Sequence, residues 1–296
     1  MSDAGAAHAR FGDYLELTKP RLSLLSVMTA LVGYFSARPA FDPLRIGLLA
    51  LGTSLAAGGV ASLNQWMEGE TDARMSRTAL RPIPAGKISG GSAFVLGWLM
   101  CIAALMLVFT GVGKLAALFT LLTIAFYLGW YTPAKRSSRW STEIGAIAGA
   151  IPPLIGWSAA EGTVSALGWI LFGVLFFWQI PHFMAIAWTY RRDYSAVNFP
   201  MLPVRDVSGG KAAGWSFIAT GALVAVSLLP AVLGLASAWY GAAALAVGAG
   251  FLWQAAAFLR PANRDAGARR LFLCSLAYLP LVLGLLVADR LLLNRP

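Results

Sequence analysis

The chain has 296 residues, 58% of them hydrophobic and 12% charged, with a net charge of +10 and a mean hydropathy of +0.69. A water-soluble domain carries about 25% charged residues, so a soluble enzyme is excluded and a chain dissolved in a bilayer is expected. The basic balance alone would also suit a nucleic-acid binder, and the placement of the charges decides between the two.

Met1 to Arg10 are polar or small, and residues 1–20 are expected to form a cytoplasmic N-terminal segment. The first apolar stretch has no small-residue cleavage pattern behind it, so it reads as a retained span rather than a signal peptide. Apolar stretches then run at about 22–37, 44–66, 92–111, 114–134, 143–160, 164–188, 213–234, 238–259 and 270–289. Most approach the roughly 20 residues that a crossing helix needs. The first and fifth are shorter and would cross by tilting or by thinning the bilayer. The expectation is an all-α, polytopic bundle of about nine transmembrane helices, forming a single domain over 1–296.

Eighteen of the 23 lysines and arginines fall on the N-terminus and in the loops after the second, fourth, sixth and eighth stretches. The positive-inside rule puts that side in the cytoplasm and the C-terminus outside. This bias explains the basic charge without nucleic acid. Cys101 and Cys274 both lie in apolar stretches, and neither a disulfide nor a metal cluster is expected from them. Two cytoplasmic loops are long, 67–91 and 189–212. They follow stretches four helices apart, which hints at two four-helix halves and an added ninth helix.

The first long loop is entered through Asn64-Gln-Trp-Met-Glu68-Gly-Glu70-Thr-Asp72. If the second helix continues to Asp72, then Asn64, Glu68 and Asp72 share one face, while Glu70 points away. Two carboxylates and an amide oxygen at a membrane edge suit a hard cation such as Mg²⁺, which completes its shell with water and substrate phosphate. Ionisable groups are costly at that depth, and only thirteen acidic residues exist in the chain, so a functional reading outweighs a solvated helix end. Four cations follow directly: Arg74, Arg77, Arg81 and Lys87. Beside a metal they suggest an anion with more charge than the metal cancels, and a diphosphate fits. For any one of these arginines, plain positive-inside charge explains it equally well.

From Asn64 to Asp72 the chain resembles the UbiA superfamily of membrane prenyltransferases, whose signature is Asn-x-x-x-Asp-x-x-x-Asp on the second helix. The resemblance extends over almost the whole chain. It takes in Asp13-Tyr-Leu-Glu-Leu-Thr-Lys-Pro-Arg21, Arg81-Pro-Ile-Pro-Ala-Gly86, Tyr131-Thr-Pro-Ala-Lys-Arg136 and Asp193-Tyr-Ser-Ala-Val-Asn-Phe-Pro-Met-Leu-Pro203. Two blocks, Pro152-Pro-Leu-Ile-Gly-Trp157 and Trp178-Gln-Ile-Pro-His-Phe183, are similar to the branch that farnesylates haem. Glu68 stands where the family pattern has Asp, one methylene longer. Val197 stands where much of the superfamily has a second acid four residues after Asp193, leaving Asp193, with Asp206 nearby, to supply that side.

The resemblance implies a UbiA-type bundle, Mg²⁺ as cofactor, and metal ligation by Asn64, Glu68, Asp72 and Asp193. It implies diphosphate binding by Lys135 and Arg136, with Arg81 beside them, a role that charge balance also favours. It implies farnesyl diphosphate and haem b as substrates and haem O as product, in a bacterial-type inner membrane with the site facing the cytoplasm. From the pathway, a haem A synthase or terminal oxidase assembly is a partner to consider. His182 is one of two histidines, the other being His8. It is placed to ligate haem iron, hold a propionate, move a proton, or make a plain interhelical hydrogen bond. Gly145 and Gly149 read as a close-packing pair, with Pro152 and Pro153 breaking the fifth stretch. Trp66, Trp130, Tyr131, Trp178, Trp188 and Tyr194 read as an aromatic belt, one or two of them available to an allylic cation. Rival readings are the same chemistry on a quinone-precursor acid or chlorophyllide, an anion transporter, and a haem-handling scaffold.

Overall fold

A computed structural model describes residues 9–293; His8 and Arg295 lie outside the described residues. Every regular element among the described residues is helical. A short α1 (Phe11–Leu17) is followed by Lys19, which adopts a left-handed conformation (φ 48°) and turns the chain into α2 (Pro20–Ser36). Pro20 occupies the first helical position, where no N–H is required. The next helix, α3 (Pro43–Ala73), also begins on proline, and Asp42 caps it by accepting from the Arg45 N–H at 3.0 Å. At about 1.5 Å per residue its 31 residues overrun the hydrocarbon thickness of about 30 Å, so one end stands out of the apolar layer.

Seven helical stretches among the described residues are long and apolar enough to cross a membrane. They are α3, α4 (Gly90–Gly111), the continuous run Lys114–Ser137, α9 (Ala166–Thr189), α12 (Gly210–Val232), α13 (Ala238–Phe258) and the run Pro261–Leu292, which contains α14 (Arg264–Ala288). The first and fifth expected stretches are helical but fall short of that length. α2 has 17 residues, and the fifth is a pair of ten-residue pieces, α7 (Ser141–Ala150) and α8 (Pro152–Glu161). Pro152 and Pro153 supply no backbone N–H to the turn before them, which is why the helix parts at Ile151.

The run Lys114–Ser137 contains α5 (Lys114–Ala125), a π-helical segment Phe126–Tyr131 and α6 (Thr132–Ser137). Pro133 removes one helix hydrogen bond here, and the Thr132 hydroxyl donates to the Tyr127 carbonyl at 2.9 Å. The widened turn carries Tyr127 and Tyr131 on the side that becomes the site wall.

Water cannot drive helix against helix inside a bilayer, so close approach between small residues does much of the work. α2 crosses α8 so tightly that a Cβ on Gly156 would fall 1.6 Å from the Ala30 carbonyl oxygen, and one on Gly33 would fall 2.0 Å from that of Pro153. Behind this crossing, Trp157, Tyr240, Phe251, Phe258 and Tyr278 are fully buried. Leu99, Ile102, Met106 and Phe109 of α4 are exposed, as a lipid-covered face requires. The two long loops contain α10 (Arg191–Ala196) and α11 (Leu202–Arg205) on one side and a run of turns on the other. They touch each other: the Ser76 hydroxyl donates to Asp193 Oδ1 at 3.0 Å, and Arg77 donates to the Tyr194 hydroxyl at 3.2 Å.

Candidate active site

Because α3 runs unbroken to Ala73, the ladder forms as expected. Asn64, Glu68 and Asp72 are 2%, 5% and 1% exposed and line one cavity, while Glu70 faces outward. The cavity holds about 460 Å³ and reaches from this ladder to Trp178 and His182 on α9. Its loop end is polar. Its far wall is built of small and apolar groups, including Ala57, Val60, Ile124, Ile155 and Leu279.

Each member of the ladder meets a cation. Lys135 Nζ lies 2.9 and 3.1 Å from the two oxygens of Glu68, and Arg81 Nη1 lies 2.6 Å from Asp72 Oδ2. Lys19 Nζ donates to Asn64 Oδ1 at 3.3 Å, and the Asn64 amide donates to the Thr132 hydroxyl at 3.3 Å. Lys135 also sits 4.5 Å from the centre of the Tyr131 ring. Buried ion pairs of this kind are expensive to desolvate and contribute little net stability, so their presence argues for function.

On charge placement alone, Lys19 is one more positive-inside residue. The left-handed turn ahead of Pro20 is what swings it into the cavity, and nothing in its sequence neighbourhood announces that. Burial, with Arg81 and Lys135 adding positive charge beside it, pushes its pKa down to about 7 against the pull of Glu68 and Asp72. A cation held so far below its usual value is one that an incoming anion would relieve.

The remaining expected residues divide. Arg136 does not line the cavity; its guanidinium donates to the Met67 carbonyl at 2.8 Å and ties α6 to α3. Asp193 lies on the opposite loop, held by Ser76, and does not line the cavity wall, though its neighbour Tyr194 does. Asp206 is committed elsewhere. It accepts from the backbone N–H groups of Lys211 and Ala212 at 2.6 and 3.1 Å and from the Ser208 hydroxyl at 2.9 Å, at the start of α12. Burial pushes its carboxyl up, but those bonds, with one from Gly209, outweigh burial and hold it below the usual carboxylate value. Its contribution to stability is therefore complete above about pH 4 and is lost as pH falls through that lowered value. Among the described residues no three His, Cys, Asp or Glu side chains gather as a metal cluster. The donor set that the cavity offers is Glu68 and Asp72 with the Asn64 amide oxygen. Two carboxylates and an amide fit a hard cation that takes the rest of its shell from water and phosphate.

Part of the expected aromatic belt is corrected. Trp178 and Trp188 are each 5% exposed; Trp178 serves inside the bundle, while Trp188, in the last turn of α9, is buried at the loop end against the start of α14. Trp178 donates to the Ser275 carbonyl on α14 at 2.8 Å, and Trp188 to Asp265 at 2.6 Å. Trp66 and Trp130 remain exposed. Tyr131 and Tyr194 line the cavity, and so does Tyr127, which the sequence had not singled out. Gly149 lies close against Gln179, whose amide donates to the Ala146 and Leu175 carbonyls at 3.2 and 3.0 Å and joins α7 to α9. His182 is buried, with Nδ1 2.7 Å from the Ser275 hydroxyl oxygen.

A helix bundle with a buried carboxylate and amide ladder, interleaved with cations at one end of an apolar cavity, defines an integral-membrane enzyme for substrates with a charged head and an apolar tail. The chain belongs to the UbiA prenyltransferase family, whose sequence model matches residues 26–277. It is 69% identical over 99% of both chains to the protoheme IX farnesyltransferase of Opitutus terrae. It is 42% identical to the protein of the same name from Solibacter usitatus, over 94% of this chain and 98% of the other. Solved structures share the fold at low identity. A digeranylgeranylglyceryl phosphate synthase superposes with a TM-score of 0.80 at 18% identity, covering 94% of this chain and 98% of that one. A UbiA homologue from Archaeoglobus fulgidus bound to GPP and Mg²⁺ gives 0.67 at 13%, covering 93% and 99%.

Proposed function

We propose that the chain transfers the farnesyl group of farnesyl diphosphate to a vinyl group of haem b, with addition of water, giving haem O and diphosphate. The observation that carries this reading is the single cavity that joins the acid and cation ladder to His182. The near full-length similarity to proteins named protoheme IX farnesyltransferase supports haem as the acceptor.

Asn64, Glu68 and Asp72 would hold Mg²⁺, and Asp193 on the facing loop, outside the cavity wall in this structure, is the remaining acidic candidate. Bound there, the ion would supply Lewis-acid neutralisation of diphosphate charge. Lys135, Arg81 and Lys19 take the diphosphate oxygens, and Arg136 fixes the α6 end that carries Lys135. In this exchange Lys135 and Arg81 leave Glu68 and Asp72 for the substrate, so buried charges are re-paired rather than stranded. Cations aimed at the departing diphosphate favour ionisation of the allylic C–O bond. The apolar wall keeps water from the allylic cation, and the Tyr127 and Tyr131 rings offer it their faces. The haem vinyl group attacks the cation, forming the new C–C bond. Water adds to the resulting carbocation beside the ring and loses a proton.

We place the chain in a bacterial-type inner membrane with nine crossings, the shorter two being α2 and the broken pair α7 and α8. The excess of Lys and Arg on one side supports a cytoplasmic N-terminus and a site opening to the cytoplasm. Membranes containing the chain, given labelled farnesyl diphosphate and Mg²⁺ with competing acceptors, are expected to label haem b in preference to a quinone-precursor aromatic acid or chlorophyllide. Label on the aromatic acid alone would keep prenyl transfer and overturn the acceptor. Movement of label across the membrane without diphosphate release would favour a transporter.

A further inference from the structure

His182 has a hydrogen-bonding arrangement that fixes which of its nitrogens carries the proton. The Ser275 hydroxyl oxygen lies 2.5 Å from the Phe272 carbonyl, one turn back on α14, and 2.7 Å from His182 Nδ1. A carbonyl can only accept and the hydroxyl has one proton. That proton goes to Phe272, so Ser275 must accept from His182, and Nδ1 is the protonated nitrogen. Nε2 therefore carries a lone pair.

The ring is also held in place. It stacks on Trp178 with centroids 4.6 Å apart and planes at 24°, and Phe183 and Phe272 close on it at 5.1 and 5.2 Å. Trp178 is itself anchored to the Ser275 carbonyl. Ser275 and Phe272 lie outside the cavity wall, whereas His182, Trp178 and Phe183 line it. His182 lines the cavity, and with Nδ1 committed to Ser275 the ring nitrogen left for a cavity ligand is Nε2. Nε2 has no hydrogen-bond partner among the described residues and is not sealed from contact. An imidazole whose N–H is engaged by a neighbouring oxygen while its other nitrogen is bare is the usual arrangement of a metal-binding histidine. A plain bridge between α9 and α14 would not need the ring to line the cavity.

We propose that Ser275 holds His182 as the Nδ1–H tautomer so that Nε2 binds the iron of the haem substrate as an axial ligand. This rests on the reading that haem b is the acceptor. The iron–nitrogen bond sets the porphyrin plane across the cavity and so decides which edge of the macrocycle meets the farnesyl cation. Ser275 acts through His182 and is a positioning residue.

The test is to titrate the purified full chain in lipid nanodiscs with haem b and record optical and resonance Raman spectra. Wild type is expected to show an iron–histidine stretch in the ferrous state. H182A should lose that stretch and bind haem more weakly, and added imidazole should restore a nitrogen-ligated spectrum. S275A, which keeps the ring and its aromatic box, should shift the stretch without abolishing it. Haem bound with no histidine signature in wild type, or an unchanged spectrum and affinity in H182A, would overturn the ligand assignment while leaving haem as acceptor. No haem binding by wild type at all would overturn the acceptor reading as well.

Discussion

Replacing Lys135 with Met is expected to destabilise the protein by about 3–5 kcal/mol, and adding Glu68→Gln in the same chain is expected to recover most of that loss. Lys135 is bonded to both oxygens of Glu68 in a nearly dry site. Removing the cation alone strands a buried carboxylate. Removing both charges strands nothing, because a pair of buried ions gains little over neutral groups that fit. Activity should behave differently: the double variant should remain at least about 100-fold impaired, since neither the metal ligand nor the diphosphate ligand is restored. Thermal unfolding in detergent, read beside diphosphate release, separates the two effects. Additive destabilisation in the double variant would mean that the pair is not coupled as the geometry requires.

Gly156→Ala is expected to be the most damaging single methyl group in the helix bundle. The added carbon would sit 1.6 Å from the Ala30 carbonyl oxygen, an atom of backbone that cannot rotate away. α2 would have to separate from α8, at a cost of about 3 kcal/mol or more. α2 starts beside Lys19 and carries Ser23 and Ser26 along the cavity, so substrate binding should weaken with stability. Gly214→Ala on α12 is the matched control: nothing lies within 4 Å of its added carbon. Alanine is the better helix former by about 1 kcal/mol, so that variant should be neutral or stabilising. Comparable losses in both would show that helix propensity and not the crossing governs the result.

The parts of this molecule that were legible in its sequence are those with a period or a charge. A run of apolar residues declares a helix in lipid, and i, i+4, i+8 spacing declares that Asn64, Glu68 and Asp72 share a face. The break at Ile151 followed from two consecutive prolines. What the sequence could not reveal depends on where helices meet. Lys19 enters the cavity because of one left-handed turn, and Tyr127 because the helix widens ahead of Pro133. Arg136 and Lys135 are adjacent in sequence and looked like one clamp, yet successive residues on a helix point about 100° apart. One therefore faces Glu68 and the other the Met67 carbonyl. Trp178 and Trp188 read as interfacial aromatics, but α14 covers that face of α9, which only tertiary packing determines. The Asp206 carboxylate looked available for a metal until the turn into α12 took up its oxygens.

Farnesyl transfer to haem is tested most directly by mass spectrometry of the haem extracted after membranes containing the chain are incubated with haem b, farnesyl diphosphate and Mg²⁺, with Asp72→Ala alongside. Haem O is expected from wild type and none from Asp72→Ala. Haem O in equal yield from both would contradict the assignment of the ladder as the reacting site. Its absence from wild type, with haem b recovered unchanged, would contradict the function itself.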